Sequence, residues 1–362
     1  MRSLLSFNHI CLRIERSYIF PFSNGFMIEG MITLDSGTHF VMGIAIGGLA
    51  LVDPTVASHS LTFTAVMAGT IIGQQAPDID TVLKFRNNAI YIRHHRGITH
   101  SIPAVLLWPL LITGALAIIL PDAHLFNVWL WTQIAVFLHV FVDIFNAYGT
   151  QALRPFSKKW VALGVINTFD PFIFGFHCIG ILLWLFGTDP VLTFTIMYLI
   201  IFVYYILRFA IQKAIKSAVH HELQDEEFVI VAPTMRFFHW KIAAKSKTHF
   251  YVGRAYRRTV NIYDKFKIEP IPKTEFVAKA IKDPNLDAFL SFSPLYRWEI
   301  SELENGITEL RLIDLRYRSN DRYPFVAVAH LDEELNIVNS YTGWIFTEEK
   351  LQKRLQIGAG NE

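Results

Sequence analysis

Residues 125–148 read LFNVWLWTQIAVFLHVFVDIFNAY, an apolar run long enough to cross a bilayer that carries one ionisable pair, His139 and Asp143. On a helix that four-residue spacing puts both side chains on one face, one turn apart. A centrally placed acid costs about 2.5–3.5 kcal/mol to insert into a membrane, so the pair needs a partner. A divalent metal suits His-x-x-x-Asp, whereas a hydrogen bond to a neighbouring helix is the purely structural alternative. The run therefore sets two expectations, a helical membrane region and a metal site inside it.

The rest of the 362 residues agree with the first expectation. The chain is 52% hydrophobic and only 18% charged, below the roughly 25% charged share of soluble domains. Its net charge of +2 gives no nucleic-acid footprint, so direct nucleic-acid binding is not expected. Cys11 and Cys178 make neither a disulfide framework nor a metal-binding pair. Residues 1–30 hold basic residues and a short apolar stretch without a small-residue cleavage site, so a cleaved signal peptide is not expected. They read as an N-terminal extension without ordered structure, with Met27 and Met31 as later possible starts.

Beyond Leu125–Tyr148, the runs Ile102–Leu120, Pro171–Gly187 and Pro190–Gln212 approach or reach the roughly 20 residues of a membrane helix. Two shorter runs, Phe40–Val52 and Leu61–Gly73, are rich in Gly and Ala, which permit close helix packing in lipid. The preferred count is about six transmembrane helices, with a re-entrant hairpin as the alternative for the short pair. The connections Asp53–Ser60, Pro121–His124 and Thr188–Asp189 have no Lys or Arg. The alternate ones carry Lys84, Arg86, Arg93 and Arg96, then Arg154, Lys158 and Lys159, then Arg208, Lys213 and Lys216. This segregation predicts a multi-pass membrane protein with both termini in the cytoplasm.

From about Lys213 the pattern becomes β-rich, at 228–232, 249–256, 259–263, 298–303, 307–317 and 325–330, with a hairpin signal at Asn305-Gly306. Residues 273–289 and 347–355 read as short helices. The expected architecture is thus a membrane-embedded α-helical domain, 31–212, followed by a cytosolic α+β domain, 213–362, that is mostly antiparallel β. His220-His221-Glu222 reads as a solvated turn rather than a site.

The topology gathers polar residues at one membrane level. His39 opens the first helix, Asp78 and Asp80 follow the second, and His95, Arg96, Thr99 and His100 precede the third. His139 and Asp143 lie toward the same end of the fourth, and Asp170 starts the fifth. Imidazole with carboxylate suits catalytic zinc, and also manganese or iron. The metal-ligand candidates are therefore His39, Asp78, Asp80, His95, His100, His139, Asp143 and Asp170, enough for one or two ions. Arg93 and Arg96 suit a bidentate grip on phosphate, and Thr99 can orient a ligand or join the chemistry. Adjacent His94 and His95 cannot easily both be ligands, Asp78 and Asp80 can simply form a turn, and Asp170-Pro171 is also an ordinary helix start. His177 reads as packing, and His59 and His124 fall on the opposite side.

At these residues the chain resembles the YdjM-like family of bacterial inner-membrane metal-dependent hydrolases, also called LexA-binding. The matching elements are Thr38-His39 with Gly43, Pro77-Asp78-Ile79-Asp80, the string from His95 to Ser101, His139 with Asp143, then Asn146, Gly149 and Pro155-Phe156. The resemblance covers about Met31–Arg208, and the remaining domain is similar to that of YfhP-type members. A more distant similarity is to zinc-dependent phospholipase C and P1-type nucleases, whose second His-x-x-x-Asp is missing here. That departure implies one or two ions rather than three.

Three functions compete. The first is a membrane metallohydrolase of a phosphoester on a lipid or lipid-linked substrate at the cytoplasmic face, with membrane lipids as partners. The second is a membrane-associated regulator whose C-terminal domain binds a protein, such as a transcription factor, or DNA. The third is an ion- or proton-coupled transporter. Ligands gathered at one membrane face rather than at the midplane favour the hydrolase over the transporter.

Overall fold

The computed structural model of the protein describes residues 24–85, 87–303 and 306–358. The expected N-terminal extension lies outside the described residues up to position 23, as does Asn305 of the expected hairpin turn; from Asn24 onward the backbone is helical. The N-terminal part is a bundle of α1 (Asn24–Leu49), α2 (Pro54–Ser58), α3 (Ser60–Gly73), α4 (Asn88–His94), α5 (Ile102–Ile119), α6 (Leu125–Asp143), α7 (Pro171–Leu185) and α8 (Pro190–Glu222). A 3-10 segment, Ala76–Phe85, leads from α3 to α4. The long helices begin where the sequence offers an oxygen cap before a proline, which has no N–H to leave unpaired. Ser101 caps α5, Asp170 caps α7 before Pro171 and Asp189 caps α8 before Pro190.

Among the described residues, four helical stretches are long and apolar enough to cross a membrane: Asp35–Val52, Ile102–Ile119, Leu125–Asp143 and Pro190–Glu222. The remaining apolar runs are helical but shorter, 14 residues in α3 and 15 in α7. At about 1.5 Å per residue they fall short of a hydrocarbon core of about 30 Å. Large apolar side chains face outward from the long helices, among them Leu106, Leu110 and Ile118 of α5 and Leu199 and Phe202 of α8. In water that surface would be unfavourable, and in lipid it is the expected one.

The buried faces are built from small residues. A Cβ on Gly43 of α1 would lie 2.7 Å from the Cα of Ile71 in α3, and one on Gly69 would lie 2.3 Å from the Thr132 hydroxyl of α6. Helix α3 is thereby clamped between α1 and α6, and its C-terminal end delivers Gln74 and the Asp78 segment to the same place as His39 and His139. Helix α1 begins well before His39, so that histidine sits within the helix rather than at its opening.

Helix α8 runs on past Gln212, and its tail carries Ile215 and Val219 into a core with Trp240 and Ile242 of the first sheet. That sheet is an antiparallel meander of β1 (Glu226–Pro233), β2 (His239–Ser246), β3 (His249–Tyr256) and β4 (Thr259–Lys267). A second meander follows, β5 (Tyr296–Glu302), β6 (Thr308–Asp314), β7 (Phe325–Leu331) and β8 (Ile337–Trp344). The expected helix at 273–289 is broken by Asp283-Pro284 into α9 (Glu275–Ala280) and α10 (Pro284–Phe292). These two cover one face of β7, through Phe325, Ala327 and Ala329, while α11 (Glu348–Gly358) covers the other, through Val326 and Val328. Burial on both faces explains why β7 reads as an unbroken apolar run.

Candidate metal centre

Three helix ends and one loop converge on a buried polar cluster. Asp78 Oδ1, His100 Nε2, His139 Nε2 and Asp143 Oδ2 are each buried without a hydrogen-bond partner among the described residues. They face one another: His100 Nε2 lies 3.5 Å from Asp78 Oδ1 and 3.3 Å from Asp143 Oδ2, and His139 Nε2 lies 3.7 and 3.6 Å from the same two oxygens. A tetrahedral zinc site with bonds of about 2.0–2.2 Å has ligand–ligand edges of about 3.3–3.6 Å. The four histidine–aspartate distances are close to such edges, and all four atoms lie within 4.8 Å of one another, so the group could hold one ion. Unpaired buried polar atoms are costly, and four pointing at one another call for a shared cation.

The hydrogen bonds behind the ligands fix which nitrogen faces inward. His139 Nδ1 lies 2.8 Å from the backbone carbonyl of Gln74, which can only accept, so Nδ1 carries the proton and Nε2 offers its lone pair. Thr99 donates to Asp80 Oδ2 at 2.7 Å, which leaves its oxygen to accept from His100 Nδ1 at 3.1 Å. His39 follows the same rule. Gln74 donates its amide to the Ala135 carbonyl at 2.7 Å, so its oxygen accepts from His39 Nδ1 at 2.9 Å. All three imidazoles are thus held from behind, the arrangement that metal-binding histidines use.

His39 Nε2 points to the other oxygen of Asp143, at 3.7 Å, and to Asp35 Oδ1, at 4.0 Å. Asp35, His39 and Asp78 form a second group of ligand-type atoms, and Asp78, Asp80 and His95 a third. The groups share Asp78, so two neighbouring ions could divide the cluster. Burial would raise the Asp78 pKa, but His139 and His100 outweigh it and hold the carboxyl well below its usual range. Burial would lower the pKa of His100, but the Asp143 and Asp78 carboxylates outweigh it and raise it.

Arg96 has a left-handed backbone, φ 55°, which costs a residue with a Cβ about 1–2 kcal/mol. The conformation is pinned on both sides: its N–H donates to Asp80 Oδ2 at 2.8 Å, and its carbonyl accepts from Gln151 N at 2.9 Å and the Thr150 hydroxyl at 3.0 Å. The left-handed turn between His95 and His100 thus falls on Arg96 and not on the neighbouring Gly97. One guanidinium nitrogen lies 2.8 Å from Asp35 Oδ2 and 3.2 Å from Asp143 Oδ1, and Nε and Nη1 are without partners. In this structure the side chain balances the charge of two carboxylates of the centre.

Arg93 and Asp170 stand apart from these groups. Arg93 is half exposed and paired with Asp287 of α10. Asp170 caps α7 and accepts from the Tyr204 hydroxyl at 2.8 Å, outside the groups that could hold a metal. His95 leans on Asp80 at 2.8 Å and stacks on Tyr91. His59 and His124 pack together at the opposite end of α3. Sequence reasoning missed Asp35 and Gln74. Asp35 precedes His39 by one helical turn, a spacing that could have flagged it, whereas a lone glutamine carries no such signal.

A bundle of membrane-type helices closed around an imidazole–carboxylate cluster defines a membrane protein with a candidate metal centre. Residues 34–215 match the family described as YdjM inner membrane protein, 224–266 match the YfhP middle domain and 275–355 the YfhP C-terminal alpha/beta plait domain. The chain belongs to the YdjM inner membrane protein family. It is 55% identical over 327 residues to the uncharacterized protein YfhP of Bacillus subtilis (strain 168), a match that covers 90% of this chain and 100% of that relative. No solved structure matches it. The expected distant likeness to zinc-dependent phospholipase C and P1-type nucleases finds no support in these comparisons.

Proposed function

We propose that the protein is a multi-pass membrane metallohydrolase that cleaves a phosphoester on a lipid or lipid-linked substrate at the cytoplasmic face. The observation that carries this reading is the convergence of four unpartnered atoms, Asp78 Oδ1, His100 Nε2, His139 Nε2 and Asp143 Oδ2. Zinc suits that donor set, with manganese or iron as alternatives, and a second ion at Asp35, His39 and Asp78 would share Asp78 with the first. A bound divalent ion would supply a hydroxide-like water and polarise a phosphoryl oxygen. The chain's own part is to hold three imidazoles by Nδ1, to keep Asp78 ionised, and to offset the charge of Asp35 and Asp143 with Arg96.

The six apolar helices and the one-sided distribution of Lys and Arg support six membrane segments, α3 and α7 being short ones, with both termini in the cytoplasm. The test is the metal content of detergent-purified protein together with phosphate or headgroup release from mixed micelles supplied with zinc or manganese. Wild type should hold metal and turn over at least one lipid in a panel of phospholipids and prenyl phosphates. Activity no higher than that of Asp143→Ala across the panel would end the hydrolase reading.

A regulatory role for the C-terminal domain is the second reading, favoured by one contact. Helix α4, which leads directly into His95 and Arg96, docks on that domain through Arg93 with Asp287 and Asn88 with the Thr342 carbonyl. A protein partner that displaced this domain would pull on the loop that carries His95, Arg96, Thr99 and His100.

A further inference from the structure

A cavity of about 300 Å³ adjoins the metal centre, with Asp35, His39 and Asp143 among its lining residues. Its outer wall is formed by Phe141 of α6 and Phe202 and Ile206 of α8, which are 43%, 63% and 54% exposed. These residues belong to two stretches long and apolar enough to span a membrane, and they are flanked by other outward apolar side chains, Phe137, Leu199 and Val203. The mouth therefore opens between α6 and α8 toward the hydrocarbon of the bilayer. An apolar cavity does not hold water well, so its natural occupant in that setting is a hydrocarbon chain.

The cavity is not uniformly apolar. His177 and Tyr198 line it, their rings edge to face at 5.6 Å, and His177 Nε2 and the Tyr198 hydroxyl are both buried without a partner. His177 Nδ1 lies 2.8 Å from the Ile173 carbonyl, so its proton is on Nδ1 and Nε2 is an acceptor. The Tyr198 hydroxyl is free to donate. Both residues lie about two helical turns from Asp170 along α7 and α8, on the side away from its cytoplasmic loop. A glycerolipid whose phosphate is at the centre carries its ester carbonyls further along the cavity, whereas a polyprenyl chain has no acceptor there.

We infer that this cavity is a lateral portal and binding subsite for one acyl chain of an ester-linked glycerophospholipid, with Tyr198 donating to the ester carbonyl and the phosphate head at the Asp143 end. A volume at the lower limit of ligand pockets, about 300–1,000 Å³, suits a single chain rather than a whole lipid. The inference rests on the membrane placement and the metal centre proposed above, because a phosphate can face Asp143 only across a cation, but not on hydrolysis.

The test uses the full-length protein in detergent micelles with two photoreactive probes, a phosphatidic acid bearing a diazirine on one acyl chain and a polyprenyl phosphate bearing the same group. Cross-links are mapped by mass spectrometry, and metal content is measured in parallel. The acyl probe should label residues of α6 and α8 that line the cavity. Ile206→Trp at the exposed mouth should reduce that labelling several-fold with metal content unchanged, as should Ile201→Trp within the cavity. Tyr198→Phe should weaken labelling by the acyl probe and bring it down to the level of the prenyl probe. Labelling spread over the outer surface of the bundle and insensitive to Ile206→Trp would mark ordinary annular lipid and overturn the portal. Stronger labelling by the prenyl probe, indifferent to Tyr198→Phe, would overturn the ester assignment. Specific acyl labelling without turnover of any lipid would leave the portal standing and remove only the hydrolase reading.

Discussion

Gln74 holds His39 and His139 at once, accepting from His39 Nδ1 with its side-chain oxygen at 2.9 Å and from His139 Nδ1 with its backbone carbonyl at 2.8 Å. One residue at the end of α3 thus sets the tautomer and orientation of two imidazoles from two other helices. Gln74→Leu keeps the backbone bond and removes the other. His39 should lose its fixed orientation while His139 keeps it. Outer hydrogen bonds of this kind are worth about 10–100-fold in metal affinity. Metal titration of purified Gln74→Leu should show a loss of that order, and Gln74→Glu, which keeps an acceptor, should retain more. Equal affinity in Gln74→Leu and wild type would mean that the residue only packs.

Asp143 and Asp170 separate a member of the centre from a helix cap. Asp143 puts one oxygen between His100 and His139 and the other beside Arg96 and His39. Asp170 spends its oxygens on the first turn of α7 and on Tyr204. Asp143→Asn should abolish metal retention through gel filtration. Asp170→Asn preserves one capping oxygen and should retain full metal with a melting temperature lowered by the loss of about 0.5–1.5 kcal/mol. Metal loss in both variants, or in neither, would refute this division.

The signals that could be read from sequence were those with a local period. Spacing of four placed His139 and Asp143 on one helix face, and apolar runs located every long helix. Gln74 was illegible because its role depends on α3 packing between α1 and α6, a contact between residues 35 and 61 positions apart. Strand β2, HWKIAAKS, escaped because its paired alanines break the polar–apolar alternation, yet they are buried under neighbouring elements. Strand β8, IVNSYTGW, is polar because it edges its sheet and pairs only with β7. The break between α9 and α10, by contrast, was visible in Asp283-Pro284, since proline restricts the residue before it.

The membrane topology can be checked without reference to activity. Ala57 lies on the exposed connection between α1 and α3, and Lys158 lies on the exposed connection between α6 and α7. In a chain lacking Cys11 and Cys178, an impermeant maleimide should label Ala57→Cys in sealed cells and leave Lys158→Cys unlabelled until the membrane is opened. The reverse pattern would invert the topology and place the metal centre at the outer face. Labelling of both positions in sealed cells would defeat the multi-pass reading.

The C-terminal domain has its own acid-sensitive contact. Glu309 on β6 accepts from His330 on β7 at 2.8 Å and from Arg311 at 2.8 Å. Burial alone would raise its pKa, but these two partners outweigh burial and lower it. A carboxyl with a depressed folded-state pKa contributes stability that is fully present above its unfolded value, about 4.3, and is lost as the pH falls through the folded value. Chemical unfolding of the full chain, followed by tryptophan fluorescence, should show the domain weakening below about pH 4.3. Glu309→Gln should lower stability at neutral pH and flatten that acid limb. An acid limb of unchanged slope in Glu309→Gln would show that other carboxyls control it.

Gly43 ties the packing of the bundle to the geometry of the centre. Any side chain there meets the α3 backbone, with a Cβ 2.7 Å from Ile71 Cα and 3.0 Å from the Thr70 carbonyl, and backbone cannot swing aside as a side chain can. Gly43 stands one turn beyond His39 on α1, and Thr70 one turn before Gln74 on α3. Forcing the helices apart at this point should therefore stretch the His39–Gln74 hydrogen bond directly. Gly43→Ala should cost about 1–3 kcal/mol by overpacking, and it should also weaken metal binding although the residue touches no ligand. Gly114→Ala is the control, because nothing lies within 4 Å of its Cβ, and it should be neutral or gain up to about 1 kcal/mol from helix propensity. Thermal unfolding and metal occupancy measured on the two variants in the same detergent decide the point. If Gly43→Ala were as stable and as metal-replete as Gly114→Ala, the close approach of α1 and α3 would not be what sets His39 against Gln74.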